Sequence, residues 1–313
     1  MRKLALRAAL VFLAAAASIA AASDERLIYE TESLYHHIVV SENDDVRILR
    51  FHKGPAAEAL GSDFAQSVIS LADPYSLHMQ YAKHSMVGAA LVESPKRALF
   101  IGLGAGTVPK FFARAFPECQ VDVAELDAKV VNVARKYFFF PDLANLKVTV
   151  MDGRQFVRQS KDKYNLVMVD AYRDEMIPFH LMTFDFLEQV KAKLAPGGVL
   201  ISNIAIRNDA ELYPWALRTY QAAFPTLFEA NVPGTINRVL LGFAEKQKLA
   251  PHDIELAARG LAGRVSFDYD LVRCAGVYRD VSMARPSKNI LTDDYAPVNL
   301  MRLRKADEKD WKY

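Results

Sequence analysis

The chain of 313 residues sets 39 Lys and Arg against 37 Asp and Glu, and 51% of it is hydrophobic. That length holds one large domain or two modest ones around a sizeable core. The near-neutral balance excludes the basic footprint of a nucleic-acid-binding surface.

In chain order, "MRKLALR" is a basic n-region and "AALVFLAAAASIA" an apolar run, closed by Ala20-Ala21-Ala22 in an A-x-A pattern before "SDERL". This is the anatomy of a secretory signal, and the run is too short for a comfortable membrane span. Residues 1–22 are therefore expected to be cleaved, leaving an exported protein, periplasmic or secreted, with no stable span. The alternatives are an inner-membrane anchor, or a cytoplasmic protein whose start is misassigned. Cleavage removes Arg2, Lys3 and Arg7 and leaves 36 basic against 37 acidic residues.

Residues 26–54 read as β structure, with "LYHHIVV" and "DVRILRF" flanking the polar turn "SENDD". A small N-terminal β-hairpin domain is expected over 23–60. The stretch "SDFAQSVISLADPYSLHMQYAKHSMVGAALVESP" (62–95) then reads as helical. From residue 97 apolar strands alternate with helices. Strands are expected at Ala98–Ile101, Val121–Glu125, Lys147–Met151, Leu166–Val169 and Val199–Ile204, with helices near 107–116, 128–137, 153–160 and 183–194. That alternation predicts a largely parallel sheet covered on both faces. "LAPGG" (194–198) reads as a helix end and tight turn, and "NRVLLGFAE" as a further, antiparallel strand at the sheet's edge. The catalytic domain is expected over 61–305, and residues 306–313 as a charged tail.

Three glycines at alternate positions, Gly102, Gly104 and Gly106, sit where the first apolar strand meets a helix, the setting in which backbone approaches a nucleotide. Three acids follow at successive strand ends. Glu125 is placed to accept ribose hydroxyls, Asp152 to meet an adenine amino group, and Asp170 faces the same crevice. In an open parallel sheet ligands bind outside the carboxyl ends of the strands, so the three converge on one cleft.

The run G-x-G-x-G, "ELD", "MDGRQFV", "VMVDAY" and "LAPGG" resembles the class I S-adenosylmethionine-binding fold. With the N-terminal hairpins, "AQS" (65–67) and "LTDDYAPV" (291–298), the chain from about 28 to 300 resembles the spermidine synthase (polyamine aminopropyltransferase) family. The resemblance implies an α/β, seven-stranded Rossmann-like methyltransferase fold and a homodimer built with the N-terminal domain. It implies decarboxylated S-adenosylmethionine, or S-adenosylmethionine itself, as co-substrate, with no metal. Gly102, Gly104 and Gly106 would carry the methionine-derived part, Glu125 the ribose and Asp152 the adenine, with Gln66 bordering the site. Asp170 would be the catalytic carboxylate, orienting a substrate ammonium and taking its proton. His78 persists from a substrate-binding element, and Asp174 and Glu175 are either holders of the far end of a polyamine or part of a solvated loop.

Where the family carries an aspartate in the glycine turn, this chain has Ala105, and Leu77 and Met79 stand where a tyrosine and a glutamate are usual. Tyr75 and Tyr81 are candidates to replace that tyrosine. The nucleoside half of the site is thus intact and the amine-reading half altered. Three readings follow: an aminopropyltransferase acting on a polyamine-type amine, a methyltransferase on the same frame, or a non-catalytic nucleoside-binding relic. His36 and His37, strand neighbours facing opposite sides, make poor co-ligands, and no metal-ligand spacing appears. His180 is read as packed or capping rather than touching substrate, and Phe138–Phe140 as core or cover. Cys119 and Cys274 are compatible with one disulfide or with two separate buried thiols.

Overall fold

The computed structural model describes residues 25–52, 56–60, 65–172, 177–205, 212–283 and 288–295. The leader, Asp174, Glu175 and the charged tail lie outside the described residues.

Four strands, β1 (Arg26–Glu32), β2 (His37–Glu42), β3 (Val46–His52) and β4 (Ser67–Ser70), form an antiparallel meander in that order. The β2–β3 turn is fixed by Asn43, whose Oδ1 accepts from the backbone N–H of Asp45 at 3.0 Å and of Val46 at 2.8 Å, as short amide side chains do in turns. β4 corrects the helical reading of its segment. "SVIS" alternates buried and half-buried positions, the period of a strand, and Val46 to Leu49 pair with it. After the one-turn helix Ala56–Ala59, helix resumes in this segment only at α1 (Gln80–Ser85), followed by α2 (Val87–Ala90).

The second sheet holds β5 (Arg97–Ile101), β6 (Gln120–Glu125), β7 (Leu146–Val150), β8 (Tyr164–Val169), β9 (Leu194–Ala205), β10 (Thr226–Asn231), β11 (Asn237–Phe243) and β12 (Tyr278–Asp280). Their spatial order is β12-β10-β11-β9-β8-β5-β6-β7. β5 to β9 pair in parallel and β10 to β12 antiparallel. The α/β class and the small N-terminal sheet are as read from the sequence. The seven-strand expectation is extended by three-residue β12. β11 is antiparallel as expected, but lies between β9 and β10 rather than at the edge. "LAPGG" belongs to β9: the preceding helix ends at Lys191, and the register slips between Tyr164 and Leu166, with Gly197 at φ 70°.

The helices that follow strands are α3 (Thr107–Ala115), α4 (Ala128–Tyr137), α5 (Gly153–Gln159), α6 (Phe184–Lys191) and α7 (Leu212–Ala223), then α8 (Pro251–Ala262) and α9 (Leu271–Ala275). Alternate strand residues enter two different cores. Ala98 and Phe100 of β5, with Leu166 and Met168 of β8, face one, whereas Leu99, Ile101, Val167 and Val169 face the other. Both faces are buried, which is why these strands read as unbroken apolar runs. A third cluster packs Ile38, Val40, Leu49 and Ile69 of the first sheet against Ala105 and against Val130 and Val133 of α4.

The chain passes from β5 to β6 on one side and returns to β8 on the other. The carboxyl ends of β5 and β8 therefore flank the point where strand order reverses, the usual place for a ligand crevice. Far along the chain, Leu291 is fully buried and ties the segment 288–295 down: its carbonyl accepts from Phe184 N at 2.7 Å, and its N–H donates to Thr219 Oγ1 at 2.8 Å. Cys119 and Cys274 are separate, buried free thiols.

Candidate active site

The glycine turn leaves β5 with Gly102, Gly104 and Gly106 all in the left-handed region, at φ 97°, 55° and 72°. At Gly102 a Cβ would sit 2.4 Å from the carbonyl oxygen of Asp170, and at Gly106 2.2 Å from the Phe140 ring. Backbone geometry and space both demand glycine there.

Asp170 leaves β8 beside that turn, its N–H bonded to Ile101 O at 2.9 Å. Its Oδ1 accepts from Asn203 Nδ2 at 2.8 Å, and the Tyr81 hydroxyl bonds the same carboxyl. Burial pushes its pKa up to about 7, against the opposing pull of those two donors. Tyr81, buried, and Tyr172, half-buried, lie beside it, and both are pushed well above the ordinary phenol range by burial and by the Asp170 charge. A cleft of about 260 Å³, counting its solvent-open mouth, lies between Tyr81, Gly102, Leu103, Thr107, Met168 and Asp170. Of the two candidate tyrosines, Tyr81 is the one at Asp170. Tyr75 lies under Arg114, whose guanidinium carbon is 3.9 Å from its ring centre.

Glu125 ends β6 nearly buried. Its Oε2 accepts from Leu103 N at 2.8 Å and its Oε1 from Asp127 N at 2.9 Å. Burial raises its pKa while these amides lower it. The carboxylate locks the first residue of the glycine turn after Gly102. Asp152 caps α5, its Oδ1 accepting from Gln155 N at 2.9 Å, and its Oδ2 lies 3.1 Å from His180 Nε2. That His180 bond is the main cause holding Asp152 below its ordinary pKa. Arg154, the second residue of α5, is clamped by both oxygens of Asp293, at 2.8 and 2.5 Å.

Glu125, Asp170 and the three glycines are brought together around the turn, with Asp152 capping the helix after the neighbouring β7. Gln66 precedes β4, its N–H bonded to Leu49 O at 2.9 Å. It is the next residue, Ser67, that reaches the turn: its Oγ accepts from Ala105 N at 3.2 Å. His78 is exposed, near Lys83 and Asp268, and does not line the cleft. Phe138 and Phe140 are buried, and Phe139 is half exposed. Lys110 of α3 is fully buried and donates to Phe138 O at 2.7 Å, and burial lowers its pKa to about 8. Sequence reasoning missed Ser67, Asn203 and Asn237. The available signal was a polar residue inside an apolar strand, as in "ISNIA", because a buried amide needs a partner.

The positions altered from the family pattern are packed with hydrocarbon. Ala105 and Leu77 are fully buried, and Met79 lies half-buried against the core. Among the described residues no group of three or more His, Cys, Asp or Glu is arranged to hold a metal ion, and no helix is long and apolar enough to cross a membrane.

A glycine turn at the strand-order reversal, with acids ending the neighbouring strands, places the chain among the methyltransferase-like α/β proteins. Residues 79–228 match the family described as "Spermine/spermidine synthase domain", so the chain carries a domain of that description and is similar to the spermidine synthases. It is 29% identical over 285 residues to a polyamine aminopropyltransferase of Vibrio vulnificus, covering 88% of this chain and 91% of that one. A probable spermidine synthase of Corynebacterium glutamicum superposes with a TM-score of 0.62 at 19% identity, over 84% of this chain and 99% of that one. Human methyltransferase-like protein 13, solved in complex with SAH, superposes with a TM-score of 0.56 at 25% identity, over 71% of this chain and 99% of that one.

Proposed function

We propose that the protein is a transferase moving an aminopropyl group from decarboxylated S-adenosylmethionine to a polyamine-type amine. The observation that carries this reading is Asp170, a carboxyl at the cleft wall whose pKa of about 7 suits it to take up a proton near neutrality. The glycine turn admits a ligand to backbone contact, and Glu125 is set at the turn to receive hydroxyls.

An alkylamine, like lysine, has a pKa of about 10 and arrives as ammonium. Asp170 holds that ammonium by charge and accepts one of its protons. The freed nitrogen lone pair attacks the aminopropyl carbon next to the sulfonium. A C–N bond forms as the C–S bond breaks, and its electron pair passes to sulfur, releasing neutral methylthioadenosine. The sulfonium is its own leaving group, so the protein supplies alignment and one proton acceptor.

A second reading, methyl transfer from S-adenosylmethionine, is favoured by Ala105. The family's aspartate at that position would repel the carboxylate of the intact cofactor, and here it is absent. The likeness to human methyltransferase-like protein 13 supports the same reading. The leader supports export, and the N-terminal sheet supports a homodimer as in the family. N-terminal sequencing of the purified protein and sedimentation test these two.

Mass spectrometry after incubation of residues 23–313 with both sulfoniums and an amine panel decides among the readings, with Asp170→Asn as control. Methylthioadenosine with an aminopropylated amine is expected, from the wild type alone. Adenosylhomocysteine with a methylated acceptor would move the assignment to methyl transfer. Neither product, with nucleoside binding intact, would leave a binding protein.

A further inference from the structure

Asp170 is held by a chain of amides that begins two strands away. Asn203 of β9 is 2% exposed and donates from Nδ2 to Asp170 Oδ1 at 2.8 Å. Its own Oδ1 accepts from Asn237 Nδ2 at 2.9 Å. Asn237 pairs with Ala205 in the β9–β11 ladder, two residues from Asn203, so the two amides are diagonal neighbours on one face. The backbone here is also fixed. Pairing of β9 with β8 ends at Ser202, and the Tyr172 hydroxyl fills the gap, donating to Asn203 O at 2.9 Å and accepting from Ala205 N at 2.8 Å.

A primary amide has one donating end and one accepting end. With Oδ1 of Asn203 engaged by the Asn237 NH2, only Nδ2 can face Asp170. Turned round, the same amide would present Oδ1 and stabilise the protonated acid instead. The titratable groups facing Asp170 among the described residues are Tyr81 of α1 and Tyr172 after β8, both neutral donors or acceptors at working pH. No described cation holds the carboxylate ionised. The Asn203 amide and Tyr81 favour the ionised form against burial, and successive hydrogen bonds running in one direction polarise each other.

We propose that Asn203 and Asn237 are positioning residues for the carboxylate: Asn237 locks the orientation of the Asn203 amide, and that orientation keeps Asp170 ready to accept a proton. This rests on the reading of Asp170 as the group that takes the substrate proton, although the orienting effect exists without turnover.

The test uses Asn237→Ala, which removes the donor without adding charge, and Asn237→Asp, which offers Asn203 only an acceptor and so favours the reversed amide. Asn237→Ser, small and still a donor, is the conservative variant. The Asp170 carboxyl is followed by 13Cγ NMR, its resonance identified by loss in Asp170→Asn, and initial rates are measured against pH in parallel. Asn237→Ala should move the midpoint upward, and Asn237→Asp should move it further, by about one pH unit, a roughly fivefold loss of the ionised form at pH 7. Asn237→Ser should lie nearer wild type, and all three should regain the wild-type rate at alkaline pH. A wild-type midpoint in Asn237→Ala overturns the proposal, even if Asn237→Asp shifts, because added charge alone would then explain that shift. If the resonances move as expected but no sulfonium–amine pair turns over, the orienting chain stands and the transferase reading falls.

Discussion

Ser67 Oγ accepts the backbone N–H of Ala105 at 3.2 Å, so a strand of the N-terminal sheet holds the middle of the glycine turn. Both residues are nearly buried, and the bond fixes a peptide that a cofactor would approach. Ser67→Ala removes one hydrogen bond, worth about 1 kcal/mol. Nucleoside affinity measured by calorimetry should fall roughly five- to tenfold, with faster hydrogen exchange at the Ala105 amide. Unchanged affinity and exchange would mean that the turn is held without the first sheet.

Transfer should depend on pH through Asp170. The ionised form is the proton acceptor, so kcat/KM should rise with pH through about 7 and level off above it. Asp170→Asn should lower turnover by roughly 10²–10⁴-fold while nucleoside binding persists. A flat profile between pH 5 and 9 would remove Asp170 from the proton-accepting role.

The same carboxyl carries a stability cost with a definite sign. Its folded pKa of about 7 lies above the ordinary 3.8. Between those values the native state binds the extra proton, so stability falls as pH rises across that window. The penalty is complete above about 7 and absent below about 4. Asp170→Asn should therefore unfold at a higher temperature than wild type at pH 8, with the gap closing toward pH 4, as read by scanning calorimetry. A pH-independent difference between the two would contradict the raised pKa.

Restoring the family aspartate should not restore amine reading. Ala105 is fully buried in a cluster with Ile38, Val40, Leu49, Ile69, Val130 and Phe138. A carboxylate there is buried against hydrocarbon, at a cost of roughly 2–5 kcal/mol. Ala105→Asp should lower the melting temperature and give no gain with the decarboxylated donor. A gain in turnover without loss of stability would show that the side chain can turn into the cleft.

Two glycine substitutions separate strain from contact. Gly197 has φ 70° with nothing within 4 Å of an added Cβ, whereas at Gly102 the added atom meets the Asp170 backbone. Gly197→Ala should cost about 1–2 kcal/mol of stability and leave binding unchanged. Gly102→Ala should weaken nucleoside binding more than tenfold by pushing β5 and β8 apart where they flank the cleft. Equal binding by the two variants would argue against that placement.

Strands β5 and β8 were legible because each is an apolar run ending at a glycine or an acid, the signature of a strand buried on both faces, and β6, β7 and β9 were legible from their alternation with helices. Glu125, Asp152 and Asp170 were legible as the acids at the carboxyl ends of three successive strands. β4 was not: four residues without a strong alternating context give no period to read, and helical residues follow. The interior position of β11 is a matter of which edge a hairpin joins, and composition does not record it. Ser67, Asn203 and Asn237 act only through partners distant in the chain, and Tyr81 became distinguishable from Tyr75 only once α1 was placed against β9 and β11, beside Asp170.

Because β11 slots between β9 and β10, assembly has an order. Strands β5 to β8 emerge from the ribosome early and can pair as they appear. β9 must wait, one edge bare, until the chain has passed Asn237. A nascent or truncated chain ending before that residue would carry the nucleoside-facing turn on a sheet with an open apolar margin, prone to pairing with other chains. The reactive carboxyl would still lack its distal amide. Under the proposed function, competence at Asp170 would arrive with closure of the sheet, so an incomplete chain is a hazard for aggregation first.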